Sequence, residues 1–180
     1  MTRRDDFAGL ARYYDQIMDH VDYYRWHSVA MGLAELLPEP VVHLDAACGT
    51  GTFADMMRLA GHQSLGVDLS PGMLKVARRK RPLLPVAQAD LRHLPFSGSI
   101  GLMTCLFDSV NFLLSIDDVR AMFEQCFAAM ASPALLYFDV VTERMVLDHF
   151  AGQQWEEDNG EFSTRWSSEF EQGESTSQTH

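Results

Sequence analysis

Val41-Val42-His43-Leu44-Asp45-Ala46-Ala47-Cys48-Gly49-Thr50-Gly51-Thr52-Phe53-Ala54 leads from an apolar run to an acid, crosses two glycines and enters a segment of helical spacing. Nineteen residues past Gly49, a second apolar run, Ser64-Leu65-Gly66-Val67-Asp68, ends in another acid. A strand, a glycine turn, a helix and a second strand tipped with a carboxylate form a βαβ unit of the kind that holds a nucleoside.

The same alternation continues outward. Strands are predicted at 41–45, 64–69, 86–89, 100–107 and 134–141, and helices at 52–60, 71–80 and 117–131. Ser70 before Pro71 is an N-cap followed by proline at the first helical position, and Ser115 precedes Asp118 at capping-box spacing. Elements alternating in this way predict an α/β fold: a Rossmann-like, doubly wound parallel sheet of about five strands. Upstream, residues 5–37 carry Phe7, Leu10, Tyr13, Tyr14, Ile17 and Met18, then Val21, Tyr24, Val29, Leu33 and Leu36, at spacings that predict two amphipathic helices. Tyr13 and Tyr14 are placed to close over a ligand. Downstream, Phe162, Trp166 and Phe170 on even positions predict a strand, with Gly173 able to turn the chain toward another, while 174–180 read as a polar, disordered tail. The expected organisation is a helical cap at 1–40, a nucleoside-binding core at 41–150 and a partial antiparallel insertion or tail at 151–180.

A chain of 180 residues with 47% apolar and 22% charged residues suits one globular domain. Its net charge of −11 opposes a nucleic acid or an anionic membrane as partner. Lys75, Arg78, Arg79, Lys80 and Arg81 form one basic cluster, read as solvating the end of a helix. Cys48, Cys105 and Cys126 lie far apart without C-x-x-C spacing, which predicts reduced thiols in the cytoplasm and no metal site. No apolar run reaches membrane-spanning length, and no h-region follows the N-terminus.

Gly49 to Ala54 fits the G-x-G-x-x-G/A dinucleotide pattern, and a P-loop is excluded because no G-x-x-x-x-G-K-[ST] occurs. Asp45 discriminates further, because a carboxylate there opposes a pyrophosphate and suits an ammonium or sulfonium ligand; the alternative is a cap on a nearby turn. Asp68 ends the second strand, where it can accept from two vicinal ribose hydroxyls. Asp90 follows the third strand, placed to accept from an adenine amino group or else to sit solvated in a loop. Three acids at the carboxyl ends of adjacent parallel strands converge on one crevice.

In these segments the chain resembles the class I S-adenosylmethionine-dependent methyltransferases. Leu44 to Gly51 is similar to that family's first motif and Gly66-Val67-Asp68-Leu69-Ser70-Pro71-Gly72-Met73-Leu74 to its second. Ala89-Asp90-Leu91 with Leu94-Pro95-Phe96 is similar to the third. Cys105-Leu106-Phe107-Asp108-Ser109-Val110-Asn111-Phe112-Leu113 resembles the fourth in its small-molecule version, and Tyr13-Tyr14-Asp15 with Val21-Asp22-Tyr23 to Trp26 looks like that group's N-terminal helices. The resemblance implies S-adenosylmethionine as cofactor. It places the methionine part on Asp45, Ala46 and the Gly49–Gly51 turn and the ribose on Asp68. Adenine would lie between Leu69 and Met73, with its edge read by Asp90 and the Leu91 amide. The methionine ammonium would meet backbone at Leu106 or Phe107, and Tyr14 would close over the carboxylate. Phe53 departs from the third small residue of many members, with Ala54 serving instead.

A second departure is length, because family members carry two further strands after the fifth. The chain therefore reads as a fragment, a truncated product or a shortened variant whose fifth strand offers an edge for a homo-dimer. The implied reaction is methyl transfer to a small, partly apolar acceptor. Asp108, His149 and His20 are the bases within reach, each read as structural first, and no Asn/Asp-Pro-Pro-Tyr element follows the fourth strand. The competing readings are a non-catalytic S-adenosylmethionine-binding module and an NAD-dependent oxidoreductase.

Overall fold

In the computed structural model, which describes residues 5, 7–149, 154–158, 162–171 and 174–179, the N-terminal segment forms one helical turn, α1 (Tyr14–Ile17), and a longer helix, α2 (Tyr23–Ala34). The Asp22 carboxylate caps α2 by accepting from the Arg25 amide at 3.1 Å. The alternating units follow as β1 (Val42–Ala46), α3 (Thr52–Leu59), β2 (Gln63–Asp68), α4 (Pro71–Lys80), β3 (Val86–Gln88), β4 (Ile100–Cys105), α5 (Ile116–Ala129) and β5 (Met130–Phe138). Both predicted caps form: the Met73 amide donates to the Ser70 hydroxyl at 3.1 Å, and the Asp118 amide to the Ser115 hydroxyl at 3.0 Å.

The five strands are all parallel, in the order β3-β2-β1-β4-β5. Strand order reverses direction between β1 and β4, which opens a crevice at the carboxyl ends of those two strands. Side chains alternate across the sheet, apart from an irregularity in β4 between Ile100 and Leu102. Leu44 and Ala46 of β1, with Val67, Met103 and Cys105, pack against Met122, Cys126 and Ala129 of α5. The opposite face carries Leu102 and Leu106, which pack under Phe53 and Met57 of α3 and Ala30 and Ala34 of α2. Each fully buried Leu or Met contributes ~1.5–3 kcal/mol through removal from water, so both layers are needed to hold β1 in the centre. His43 and Asp45 point into the second layer, amid these apolar groups.

Several boundaries differ from expectation: the first N-terminal helix is only one turn, α5 ends at Ala129 rather than 131 and β5 ends at Phe138 rather than 141, and two further differences have local causes. β4 stops at Cys105 rather than 107, because Phe107 and Asp108 take left-handed backbone (φ +61° and +65°). β5 begins at Met130 instead of 134, because α5 passes into it without a loop.

The chain divides into two compact units, Met1–Asp139 and Val140–His180. The second holds α6 (Glu143–His149) and an antiparallel three-stranded sheet of β6 (Gln154–Asp158), β7 (Ser163–Glu171) and β8 (Glu174–Thr179). The aromatic alternation at 162–170 is thus a strand, as its period indicated. The tail expectation is corrected: residues 174–179 pair with β7 from Glu171↔Glu174 to Trp166↔Thr179. Backbone pairing does not require apolar side chains, and the Ser/Thr content that looked tail-like suits an extended chain. Gly173 lies outside the described residues.

Candidate functional site

The site is built on the turn between β1 and α3. Ala47, Gly49 and Gly51 all have left-handed backbone (φ +70°, +54° and +82°), so the chain reverses within five residues. The turn is fastened to β2 on both sides: the Cys48 amide donates to the Val67 carbonyl at 2.8 Å, and the Gly49 amide to Asp68 Oδ2 at 2.7 Å. Gly66 is what lets Cys48 lie flat on β2, since a Cβ there would stand 2.6 Å from the Cys48 Sγ. Burial, with Asp45 and Asp68 nearby, raises the Cys48 thiol well above its usual range.

Asp68 also accepts from the Ser70 amide through Oδ1 at 2.8 Å. The two amides thus engage one carboxylate oxygen each. Burial raises its proton affinity over the opposing effect of these amide donors.

Asp45 is 4% exposed, and its Oδ1 lies at hydrogen-bond distance, 2.7 Å, from the Thr104 hydroxyl oxygen. Burial, with Asp68 adding repulsion against the donors Thr104 and Ala54, pushes its pKa up to about 7. No ion pair to Asp45 or Asp68 occurs among the described residues, so both stand ready for an incoming cation or hydroxyl donor. Tyr14 covers the turn, its ring edge 3.6 Å from where a Gly49 Cβ would lie. Burial and then the acids Asp68, Asp15 and Asp45 push its hydroxyl up to about 12, which keeps it a hydrogen-bond donor.

A strap formed by the N-terminal segment holds Tyr14 in place. Asp5 accepts from the Ser70 hydroxyl (2.7 Å) and the Gly72 amide (2.9 Å) at the start of α4. Asp15 takes Lys80 (2.8 Å) and Arg81 (3.5 Å) at the other end of α4, and also accepts from the Thr50 hydroxyl. Arg81 continues into the turn itself, donating to the Thr50 carbonyl (2.9 Å) and the Thr52 hydroxyl (2.8 Å). The sequence reading treated this basic cluster as a solvated helix end; Lys80 and Arg81 instead tie the strap to the glycine turn.

The crevice is lined by Tyr14, Tyr23, Asp45, Ala47, Cys48, Gly49, Thr50, Thr52, Phe53, Leu106, Phe107 and Ser109. Five predicted residues therefore meet there: Tyr14, Asp45, Gly49, Leu106 and Phe107. Ala46 points into the α5 layer and offers only backbone. Gly51 faces Leu84, whose Cδ2 lies 2.7 Å from a would-be Cβ. Leu69 is exposed, Met73 is buried with Ala11 and Val76, and Leu91 packs against the main core. Asp90 is engaged by Arg92, whose Nε and Nη2 reach its two oxygens at 2.9 and 2.6 Å. Those bonds hold its carboxyl down at about 2. Neither His20 nor Asp108 lines the crevice. The His20 Nδ1–H donates to the Ile17 carbonyl (2.9 Å), and the Asp108 amide donates to Asp139 Oδ2 (3.1 Å); the His149 side chain lies outside those described.

Sequence reasoning passed over His43, Ser64 and Thr104, which sit on three neighbouring strands facing Asp45's layer. The register His43↔Ser64 and Asp45↔Thr104 brings them together. The available signal was a polar residue at the same phase of three otherwise apolar strands.

The family profile described as "Methyltransferase domain" matches residues 44–133, half of the chain. YqeM of Bacillus subtilis (strain 168), which bears a provisional methyltransferase designation, is 30% identical over 167 residues; these cover 90% of this chain and 66% of YqeM. The dTDP-4-amino-2,3,4,6-tetradeoxy-D-glucose N,N-dimethyltransferase of Saccharopolyspora spinosa is 30% identical over 129 residues, 64% of this chain and 51% of that enzyme. The chain thus spans between half and two thirds of the length of these curated relatives. Among solved structures, an S-adenosylmethionine-dependent methyltransferase from Clostridium acetobutylicum ATCC 824 superimposes with a TM-score of 0.79. At 23% identity it covers 97% of this chain and 80% of its own, a likeness of fold.

Proposed function

Because the chain belongs to the class I S-adenosylmethionine-dependent methyltransferases, we propose that it moves a methyl group from that cofactor to a small-molecule acceptor in the crevice beside β1 and β4. The observation that carries this reading is the complementarity of the donor set. Asp45 supplies negative charge for the cationic methionine part, Asp68 supplies carboxylate acceptors for the ribose diol, and Tyr14 supplies a hydroxyl donor for the carboxylate. To Asp90, at the carboxyl end of the third strand, and to the Leu91 amide we assign the adenine edge.

The cofactor when bound provides a sulfonium methyl open to in-line displacement. The protein's share is alignment and exclusion of water, worth up to about 7–11 kcal/mol in well-oriented reactions. Tyr23, Phe53 and Phe107 form an aromatic wall to the crevice, with ring centroids 4.9 Å apart for Tyr23–Phe107 and 6.2 Å for Phe53–Phe107. That wall supports a small, partly apolar acceptor. The named activity of the Saccharopolyspora spinosa relative, on an amino sugar, makes amino-deoxysugar nucleotides the first class to test.

The net charge of −11 supports an acceptor other than nucleic acid, and three buried free thiols support a reducing, cytoplasmic setting. In its sheet β5 pairs only with β4 among the described residues, and we assign that edge to a homo-dimer contact. Sedimentation velocity across a hundredfold concentration range tests it, and a single monomeric boundary throughout would remove the assignment.

Calorimetric titration with S-adenosylmethionine, followed by mass-spectrometric detection of methylated product across an acceptor panel, tests the function. Binding with turnover is expected. Binding without turnover on any acceptor would favour a non-catalytic cofactor-binding module, and tighter binding of NADH would defeat the cofactor assignment.

A further inference from the structure

Beneath the site, four consecutive hydrogen bonds run through the sheet. Ser64 Oγ lies 2.8 Å from the Ala54 carbonyl, His43 Nδ1 lies 2.8 Å from Ser64 Oγ, His43 Nε2 lies 3.0 Å from Thr104 Oγ1, and Thr104 Oγ1 lies 2.7 Å from Asp45 Oδ1. All four side chains are buried, His43 and Thr104 completely. Four contacts need four protons. Ser64, Thr104 and a neutral imidazole carry three. With Asp45 ionised, one contact must therefore be surrendered, or two lone pairs must face each other at about 3 Å.

A fourth proton completes the chain, and only two places can hold it. Burial, with His62 and His27 adding repulsion, pushes His43 down to about 3, so the imidazole is the poor place. On Asp45 the proton lets every bond run one way, from Asp45 through Thr104, His43 and Ser64 to the Ala54 carbonyl. The other titratable groups facing Asp45 are Asp68 on β2, Tyr14 on α1, Tyr23 on α2, Cys48 in the turn and Cys105 on β4. None of them offers it a positive charge.

We propose that His43, acting through Thr104, is a positioning residue that keeps a proton on Asp45 in the cofactor-free protein, and that this proton leaves when a cation settles beside the carboxylate. The Asp45 O–H bond breaks, the proton passes through the open crevice to buffer, and the Thr104 hydroxyl turns to donate to the new carboxylate. The inference rests on the assignment of Asp45 to the cationic methionine part of the cofactor. It makes affinity a function of pH: binding weakens about tenfold per unit as the pH falls below about 7.

Titration calorimetry of the full chain with S-adenosylmethionine, in buffers of different ionisation enthalpy between pH 5.5 and 7.0, counts the released protons. Over this range the ligand's own amino group stays charged. Close to one proton per site is expected at pH 6 and about half at pH 7. His43→Leu removes the demand for the fourth proton and should move the release curve to lower pH. Thr104→Val deprives the carboxylate of its hydroxyl donor and should move the curve to higher pH, whereas Thr104→Ser should restore it. A merely structural role would weaken binding at every pH without displacing the curve, and that result, or wild-type binding at pH 6 with no proton release, would overturn the proposal. If His43→Leu does not fold, the Thr104→Val and Thr104→Ser pair decides. Asp45→Asn separates the two levels: unchanged affinity would topple the Asp45 assignment itself, while lost affinity alongside an undisplaced wild-type curve would remove only the proton chain.

Discussion

A carboxyl group held in an apolar layer to meet a cation destabilises the protein whenever that cation is missing. Asp45 in the unfolded chain titrates near 3.9 and in the folded one at about 7. Between those values the folded state binds more protons, so stability falls as pH rises from about 4 to 7. Roughly three units at about 1.4 kcal/mol each put an upper bound near 4 kcal/mol on the loss. Asp45→Asn should therefore raise the melting temperature at pH 8 by on the order of 5 °C and leave it nearly unchanged at pH 4. Equal melting shifts at both pH values would contradict the sign. Asp90 behaves in the opposite sense. Its folded-state value of about 2 gives a stabilisation that is present above about pH 4 and lost as pH falls through 2. Unfolding free energies of Asp90→Asn and wild type from denaturant titration should differ by ~1–2 kcal/mol at pH 6 and converge toward pH 2. For ligand contact, Asp68→Ala should weaken S-adenosylmethionine binding by ~1.5–3 kcal/mol, the scale of charged hydrogen bonds, and an unaltered dissociation constant would end the ribose assignment.

At the scale of elements, the strap over α4 behaves as one unit fixed at two points, Asp5 and Asp15. Burial opposes the Asp15 charge, yet Lys80, Thr50 and Arg81 together hold its carboxyl below the usual range. Asp15→Asn should cost ~1 kcal/mol and speed amide hydrogen exchange across residues 7–18 by about fivefold while the central strands stay protected. Uniform acceleration over the whole sheet would mean that the strap is part of the global core instead. The helices and central strands were legible from sequence because their signals are local. Ser70 with Pro71 starts a helix wherever it stands, and alternation marks a strand without knowledge of its partner. The chain from Ser64 through His43 and Thr104 to Asp45 was not legible, because it exists only once β1 is in register with both β2 and β4. The same holds for Asp15, whose partners lie 65 and 66 residues away.

For the molecule as a whole, strand order follows from the βαβ units, and the crevice follows from the reversal between β1 and β4. Asp45 and Gly49 could be named in advance because they stand at a strand end and in the glycine turn, whereas Leu106, Phe107 and the role of Tyr14 came from the resemblance to the methyltransferases. Asp90's engagement by Arg92 could not be foreseen, since a guanidinium two residues away has many rotamers and only the folded loop selects one. The strand at 174–179 was missed because pairing with β7, and not side-chain polarity, decides its conformation. The three thiols carry a further consequence. Cys48, Cys105 and Cys126 are all buried, and burial raises each above the ordinary thiol range. Native molecules thus present almost no thiolate, and alkylation by iodoacetamide must wait for an opening event. Because Cys48 is wedged between the glycine turn and Gly66 of β2, its labelling rate clocks the parting of those two segments, and a ligand bridging them should slow that clock while leaving Cys126, on α5 against the other face, at its own pace.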